Sequence, residues 1–150
     1  MECKAAVTVI VSKNGYILLI KRKQNPRDPW SGHVAFPGGR RENSESCYEA
    51  AMRECYEEVG IRPKIVKELG TYFPNNAPDM KVKAFLGCVE REFEPVIQKD
   101  EVDKAIWIRP QDLEVNQESF YYGDLKIWGM TYRILKDVIE KKLYQICLGH

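Results

Sequence analysis

The sequence predicts one mixed α/β domain, and three features of the 150-residue chain support this fold class. Short apolar runs separated by turn-forming residues lie in the first part of the chain, as expected for strands. A stretch with helical spacing follows in the middle, and a longer one lies near the carboxyl terminus. Strands combined with a central and a terminal helix favour a sheet covered by helices. Because no repeat, low-complexity tract or linker divides the chain, we assign residues 1–150 to a single domain.

The chain is predicted to open with a β-hairpin. Residues 5–11 and 16–20 are almost entirely apolar, and Asn14-Gly15 between them is a strong signal for a tight hairpin turn. Residues 23–32 contain two prolines and several other turn formers, which favours a loop. A short strand is predicted at residues 33–36, and the Pro-Gly-Gly sequence that follows is expected to end it.

The middle of the chain predicts an amphipathic helix. One face of this helix is apolar and is formed by Cys47, Ala50, Ala51, Cys55 and Val59. Ser44 or Ser46 is expected to cap its start, since Ser46 and Glu49 have the spacing of a capping box. Gly60 lies in the position that commonly ends a helix.

The second half of the chain predicts three strands and a long helix. Residues 65–73 and 81–89 are strand candidates, and the prolines and asparagines of residues 74–79 indicate a loop between them. Residues 105–108 predict a last short strand. From about residue 124 to residue 143, apolar side chains recur at steps of three and four, which is typical of an amphipathic helix.

The composition excludes several classes of function. The 23 Lys and Arg residues against 22 Asp and Glu leave a net charge of +1, whereas nucleic-acid and polybasic membrane partners require a clustered positive excess. The apolar runs are also far shorter than the roughly 20 residues of a membrane-spanning helix. The first residues lack the pattern of a secretion signal, so we expect a cytoplasmic location.

The five cysteines of the chain form no Cys-x-x-Cys pair and no cluster with its two histidines. An odd number of cysteines without metal-ligand spacing argues against a zinc site and against a disulfide framework. We therefore expect free thiols.

Three carboxylates share one face of the central helix. Glu54, Glu57 and Glu58 are spaced at i, i+3 and i+4, where like charges repel each other unless a cation offsets them. A cluster of carboxylate oxygens suits Mg²⁺ or Mn²⁺. On its own, the pattern is more often a solvated acidic face, with Arg53 diluting the repulsion. Gly38-Gly39, just ahead of the helix, favours the ion site because a glycine pair lets the backbone approach a bound ion.

These carboxylates belong to a longer pattern that resembles the Nudix box, Gly-x5-Glu-x7-Arg-Glu-U-x-Glu-Glu-x-Gly-U, in which U is apolar. All seven fixed positions match, and they are Gly39, Glu45, Arg53, Glu54, Glu57, Glu58 and Gly60. The resemblance implies a Nudix-type α/β/α sandwich around a mixed sheet. It also implies hydrolysis of the pyrophosphate bond in a nucleoside diphosphate that is linked to another group.

The resemblance implies a role for most residues of the box. Glu54, Glu57 and Glu58 correspond to the ligands of Mg²⁺ or Mn²⁺, and Glu54 or Glu57 also assists as a base. Arg53 corresponds to the residue that orients these carboxylates through charge-assisted hydrogen bonds. The carbonyl of Gly38 is expected to reach the metal.

Two further acidic residues receive roles from the resemblance. Glu45 corresponds to the outer carboxylate of the box, which supports the site from outside the set of metal ligands. Glu101 lies in the loop before the strand at 105–108, where many Nudix enzymes recruit a catalytic glutamate. The alternative for Glu101 is a solvated loop acid.

Two segments outside the box resemble the coenzyme A pyrophosphatase branch of the family. Residues 32–39 match its Gly-x-x-x-Phe-Pro-Gly-Gly pattern, and residues 127–131 are similar to a second shared segment. Phe36 and Gly39 are therefore candidate substrate contacts, with packing beneath the box as the alternative for Phe36. The branch also carries an arginine four residues before the first glycine, where this chain has Asp28.

The substrate stays open among three groups of compounds: coenzyme A and its thioesters, ADP-ribose or other nucleoside diphosphate sugars, and (deoxy)nucleoside triphosphates. Arg22 and Arg27 are candidate contacts for its phosphates. An alternative of another class is a domain that binds a nucleotide without hydrolysing it, and the family is also compatible with a homodimer. We expect Trp128 to be buried on the apolar side of its helix and His33 to be an ordinary strand residue.

Overall fold

The structure is a computed structural model that describes residues 2–149. In this part of the chain, ten strands and two α-helices follow one another: β1 (Ala5–Ser12), β2 (Ile17–Arg22), β3 (Val34–Ala35), β4 (Gly38–Arg40), α1 (Cys47–Val59), β5 (Lys64–Tyr72), β6 (Val82–Val89), β7 (Val102–Ile108), β8 (Glu114–Val115), β9 (Phe120–Tyr122), β10 (Leu125–Ile127) and α2 (Gly129–Glu140). Short 3₁₀ helices lie at Pro110–Asp112 and Leu143–Cys147.

The main sheet is mixed and is organised around β1. This strand runs parallel to β6 and antiparallel to β2 and β4. On one side β6 continues to β5, and on the other side β2 pairs with both β3 and β7. Strands β8, β9 and β10 form a smaller antiparallel sheet. The prediction of a mixed sheet is confirmed.

The two helices cover opposite faces of the main sheet. Side chains alternate between the faces of a strand, so neighbouring residues of β1 contact different helices. Ile10 packs in one buried cluster with Cys55 and Val59 of α1. Val9 packs in another with Leu135 of α2. The resulting α/β/α sandwich confirms the predicted fold class.

The predicted hairpin and the start of the central helix are confirmed. Gly15 adopts a φ of 89° in the turn between β1 and β2, a conformation that favours glycine. At the start of α1, the hydroxyl of Ser46 accepts a hydrogen bond from the Glu49 amide. The Glu49 carboxylate in turn accepts one from the Ser46 amide, which completes the capping box. Ser46, and not Ser44, is therefore the cap.

Pro-Gly-Gly ends the short strand as predicted, since β3 stops at Ala35, but the two glycines then enter the sheet in a further strand that the sequence did not predict. Gly38–Arg40 form β4, which pairs antiparallel with Ala5–Val7 of β1. A Cβ at Gly38 would overlap the backbone of β1, with the Cα of Val7 only 2.7 Å away. The missing side chain at Gly38 is thus what allows the two strands to lie together.

The carboxyl-terminal helix is shorter than predicted. It begins at Gly129 and ends at Glu140, because Leu125–Ile127 form strand β10. The small sheet was not predicted, since strands of two or three residues are too short to show a periodic pattern. Strand β7 also begins earlier than predicted, at Val102.

The expectation of free thiols is wrong for four of the five cysteines. Cys3 is bonded to Cys47 at the start of α1, and Cys88 of β6 is bonded to Cys147. The Cα atoms of the two pairs are 6.1 and 5.2 Å apart. Partners 44 and 59 residues apart in sequence are brought together by the sheet, so their spacing carries no signal. Cys55 is a buried free thiol.

Neither helix of the described residues has the length and apolar content that a bilayer crossing requires.

Candidate active site

A cavity of about 740 Å³ lies beside the amino-terminal end of α2. Its walls come from β3, β4, α1, the first residues of α2, and the loops that follow β2 and β5. The volume is in the range of about 300 to 1,000 Å³ that is typical of small-molecule sites.

Most of the residues that the sequence singled out line this cavity. They are Arg22, Arg27, Phe36, Gly38, Gly39, Glu54, Glu58 and Glu101. Three others, Glu45, Arg53 and Glu57, lie outside the wall. Arg53 donates hydrogen bonds to Glu45 and Glu57, and it also donates to Glu54 on the wall. The fold therefore gathers residues from four separate segments of the sequence.

Arg53 connects the carboxylates of the box. Its Nε donates to Glu45 Oε2 at 2.6 Å, and its Nη2 donates to Glu45 Oε1 at 3.1 Å. Its Nη1 donates to Glu54 at 3.3 Å and to Glu57 at 3.1 Å. These bonds raise the pKa of Arg53 and lower the pKa of Glu45. One guanidinium thus fixes three carboxylates relative to each other.

Glu58 is a buried carboxyl group at the base of the cavity, with a residue exposure of 2%. Its Oε1 accepts a hydrogen bond of 2.9 Å from the backbone amide of Gly38. Burial raises the pKa of Glu58 to about 8, against the effect of this hydrogen bond. The charge of Glu54 raises this pKa further, and Arg22 lowers it. Without a further cation, the group therefore holds a proton near neutral pH.

Glu54 lies directly against Gly39 of β4. Burial raises its pKa, Arg53 opposes this rise, and the nearby charges of Glu57 and Glu101 add to it. Glu101 also raises the pKa of Glu58. The loop that carries Glu101 is tied to the end of β2, because the Lys23 amide donates to the Glu101 carbonyl at 2.9 Å. Glu101 thus lines the cavity together with Glu54 and Glu58.

The basic side chains of the cavity differ in how they are held. Arg22 donates from Nε and Nη2 to a single oxygen of Asp28, at 3.1 and 2.9 Å. Arg27 is exposed on the cavity wall. Phe36 is only 3% exposed and belongs to the core cluster of α2, so it shapes the wall mainly by packing.

The carboxylates fit a hard divalent cation by their chemistry. In residues 2–149, no group of three or more His, Cys, Asp or Glu side chains is arranged to hold an ion unaided. Glu54, Glu58 and Glu101 nevertheless repel each other at one end of the cavity, and the pKa values of the first two are raised. Such a cluster of oxygen ligands suits Mg²⁺ or Mn²⁺, which commonly retain water as well.

The structure adds two aromatic residues that the sequence analysis placed elsewhere. The rings of His33 and Trp128 lie 4.9 Å apart, and both residues line the cavity. Trp128 is 42% exposed, so the expectation that it is buried is wrong. It precedes α2 as its N-cap residue and therefore does not lie on the apolar face of the helix. The following Gly129 adopts a φ of 65°, a conformation that favours glycine, so the backbone changes direction between β10 and the right-handed turns of α2.

Comparisons with known proteins identify the family of the chain. The family model of the NUDIX domain matches residues 2–127. An ADP-ribose pyrophosphatase of Methanocaldococcus jannaschii is 46% identical over 74 residues, which are 49% of this chain and 40% of that protein. A probable Nudix hydrolase of Schizosaccharomyces pombe is 31% identical over 147 residues, covering 85% of this chain and 50% of that protein. The chain thus spans at most half the length of these two relatives.

A solved structure shows the same architecture. The MutT NUDIX hydrolase from Burkholderia pseudomallei has a TM-score of 0.66 to this chain and is 26% identical in sequence. The match covers 92% of this chain and 98% of that one. Because the family model also extends over most of the sequence, this chain belongs to the Nudix family.

Proposed function

We propose that this chain is a metal-dependent hydrolase that cleaves the pyrophosphate bond of a nucleoside diphosphate joined to a second group. The observation that carries this proposal is the arrangement around Arg53, which holds Glu45, Glu54 and Glu57 together beside a cavity large enough for such a substrate. Membership of the Nudix family supports the reaction class. On the cavity wall, Arg22 and Arg27 are candidate contacts for the phosphates, and Glu101 is a further candidate base.

Glu54, Glu57 and Glu58 would hold Mg²⁺ or Mn²⁺, with the Gly38 carbonyl as a further candidate ligand. When bound, the cation neutralises charge on the pyrophosphate and favours deprotonation of the attacking water. Glu58 must lose its proton to act as a ligand, because burial raises its pKa to about 8. The side chain of Glu57 is more than half exposed, and its ion pair with Arg53 holds the carboxylate against the surface of α1.

The reaction that we propose is attack of a water oxygen on one phosphorus of the pyrophosphate. A new P–O bond forms, the bridging P–O bond breaks, and two phosphate esters leave with the released proton transferred to a carboxylate. Glu54, Glu57 and Glu101 are the candidates for that base. Glu101 has the advantage of lying on the cavity wall in an exposed loop. Arg22 and Arg27 would bind the phosphate oxygens.

ADP-ribose, or a related nucleoside diphosphate sugar, is the substrate that we favour. The relative from M. jannaschii is named an ADP-ribose pyrophosphatase. The environment of Arg22 points the same way, since Asp28 neutralises this arginine inside the cavity. A cavity with less net positive charge is better suited to a substrate with two phosphates than to a compound with more.

Coenzyme A is the second candidate, and one observation supports it. The two segments that resemble the coenzyme A branch, residues 32–39 and 127–131, meet in the structure through the contact between His33 and Trp128. Both segments contribute residues to the cavity. Against this candidate, Asp28 stands where that branch carries an arginine.

The test is product identification by mass spectrometry after incubation with Mg²⁺ and a panel of substrates. The panel contains ADP-ribose, coenzyme A, a diadenosine polyphosphate and nucleoside triphosphates. AMP and ribose 5-phosphate from ADP-ribose are the expected products. Formation of 3′,5′-ADP and 4′-phosphopantetheine would instead favour coenzyme A.

Two controls test the metal mechanism. Excess chelator should abolish turnover, and Glu57→Gln should lower it by orders of magnitude in a protein with an unchanged circular dichroism spectrum. Full activity in chelator would contradict the metal requirement. Failure to cleave any compound in the panel would favour a domain that only binds nucleotides.

A further inference from the structure

Trp128 occupies an unusual position for a large aromatic residue. It connects β10 to α2, is 42% exposed, and lines the same cavity as Glu54, Glu58 and Glu101. Burying an indole ring is favourable, so an exposed tryptophan in the wall of a cavity loses free energy that a ligand can recover. The ring is therefore available to a partner inside the cavity.

His33 contacts Trp128 from the neighbouring segment. The ring centroids are 4.9 Å apart and the planes make an angle of 67°, an edge-type contact that restricts the orientation of the indole. Burial lowers the pKa of His33, which favours the neutral imidazole. A neutral neighbour adds no charge to this part of the cavity.

The cavity wall carries apolar side chains as well as the carboxylates and arginines of α1, β2 and the Glu101 loop. Besides Trp128, the apolar residues include Pro29, Trp30, Pro74, Met80 and Met130. The cavity therefore combines charged groups suited to a pyrophosphate with an aromatic and thioether surface suited to a flat ring.

Trp30 is already engaged by the protein. Its Nε1 donates a hydrogen bond of 2.8 Å to Asn76 Oδ1, and Asn76 Nδ2 donates to the Pro29 carbonyl at 3.4 Å. These bonds join the loop after β2 to the loop after β5. Of the two cavity tryptophans, Trp128 is thus the one whose indole the fold leaves more exposed.

We propose that Trp128, oriented by His33, is the stacking platform for the nucleobase of the substrate. This inference rests on the proposed function, which provides a substrate that carries a base beside a pyrophosphate. Stacking on a tryptophan face tolerates different bases, because each base has a π-face. Trp128 is therefore a specificity-determining residue for the presence of a base, and not for its identity.

Tryptophan fluorescence tests the proposal without requiring turnover. The chain has three tryptophans, Trp30, Trp107 and Trp128, and a base stacked on one of them quenches its emission. AMP, titrated in the absence of metal, should quench the wild-type protein. The quench should disappear in Trp128→Phe and persist in Trp30→Phe and Trp107→Phe. Trp107 is a matched control, because it lies in β7 and bonds to the Phe93 carbonyl away from the cavity.

Calorimetry measures the affinity itself. Trp128→Ala should weaken AMP binding about tenfold, which corresponds to about 1.4 kcal/mol, and Trp128→Phe should restore most of the affinity because a phenyl ring still stacks on the base. Ribose 5-phosphate, which lacks a base, should bind wild type and Trp128→Ala equally. If Trp128→Ala does not fold, the fluorescence of Trp128→Phe decides alone.

The outcomes separate the two proposals. AMP quenching that depends on Trp128, in a protein that cleaves nothing, would support the platform and overturn the hydrolase. Cleavage of a nucleotide substrate with unchanged quenching in Trp128→Phe, or with no quenching by AMP in wild type, would overturn the platform and leave the hydrolase intact.

Discussion

Gly39 of β4 and Glu54 of α1 are in such close contact that no side chain fits between them. A Cβ at position 39 would lie 2.6 Å from the carboxyl carbon of Glu54. The neighbouring Gly38 is equally crowded, but its obstacle is the backbone of Ala6 and Val7. A flexible carboxylate can move away from a new methyl group, whereas a paired strand cannot.

We therefore predict different defects for alanine at these two glycines. Gly39→Ala should fold with a melting temperature near that of wild type and lose at least tenfold in kcat, because Glu54 is displaced from its place beside Arg53. Gly38→Ala should lose several kcal/mol of stability, as expected for overpacking against backbone. Thermal denaturation and turnover of both variants check this. Equal stability losses would contradict the assigned obstacles.

Arg53→Lys should lower kcat by a factor of about 10 to 100 while the protein stays folded. A lysine keeps the positive charge but cannot donate to Glu45, Glu54 and Glu57 in one planar arrangement. Each charge-assisted bond that is lost costs about 1.5 to 3 kcal/mol. Steady-state kinetics measure the effect, and Arg62→Lys, whose guanidinium stacks on Tyr56, is the matched control. Wild-type kcat in Arg53→Lys would show that charge alone is sufficient.

The stability of the metal-free protein should fall with rising pH because of Glu58. Its pKa is about 8 in the folded protein and near 4.5 in the unfolded chain, so the folded state binds the proton more tightly. The stabilisation is complete below pH 4.5 and is lost as the pH rises through 8. The difference in free energy of unfolding between wild type and Glu58→Gln should change in this window by a few kcal/mol, at about 1.4 kcal/mol per pKa unit.

Urea denaturation of both proteins in chelator, at several pH values, gives this difference. The subtraction removes the contributions of titrating groups that do not interact with Glu58. A difference that is constant between pH 4.5 and 8 would mean that Glu58 is ionised throughout and that its burial is compensated.

Arg27→Ala should raise the KM for a pyrophosphate substrate about tenfold, because an exposed arginine on the cavity wall is free to bind a phosphate oxygen. Lys23→Ala is the matched control, since Lys23 is exposed nearby but does not line the cavity and donates to the Lys99 carbonyl. Initial-rate kinetics distinguish the two. If both substitutions have the same effect on KM, Arg27 acts only through the electrostatic field of the protein and not through a direct contact with the substrate.

The cysteine pairing predicts a defined chemical behaviour. The denatured, unreduced protein should have a mass about 4 Da below that of the reduced protein, because two disulfides remove four hydrogens. Alkylation without reductant should label Cys55 alone. Reduction should lower the free energy of unfolding by about 2 to 4 kcal/mol per bond. Labelling of all five cysteines in the unreduced protein would contradict the pairing.

The sequence predicted those parts of the protein whose signals are local. The hairpin at Asn14-Gly15 and the capping box at Ser46 depend on a few neighbouring residues, and both are confirmed. The pairing of β4 with β1 was missed, because it depends on a contact across the sheet rather than on a preference of glycine for strands. The disulfides were missed for the same reason, because the sheet brings together cysteines that are far apart in sequence.

At the site, too, local patterns were predicted better than features that depend on the tertiary structure. Box spacing placed Glu54, Glu57 and Glu58 on one helix face; in the structure Glu54 and Glu58 line the cavity, whereas Glu57 lies outside its wall. Trp128 was misplaced because Ile127 fits a helical spacing with Met130 and Ile134 and yet belongs to strand β10. A periodic pattern does not show where a helix begins when its first turn follows a strand directly.

The bonds of Arg53 reach across the connection between β4 and α1. The same guanidinium donates to the Arg40 carbonyl at the end of β4 and to the Glu45 carboxylate two residues before α1. Glu45 also accepts from the Glu42 amide, and Arg41 donates to the Glu45 carbonyl. The length of this short connection is therefore set by the reach of one side chain, so a single inserted or deleted residue there would separate the strand from the carboxylates it faces.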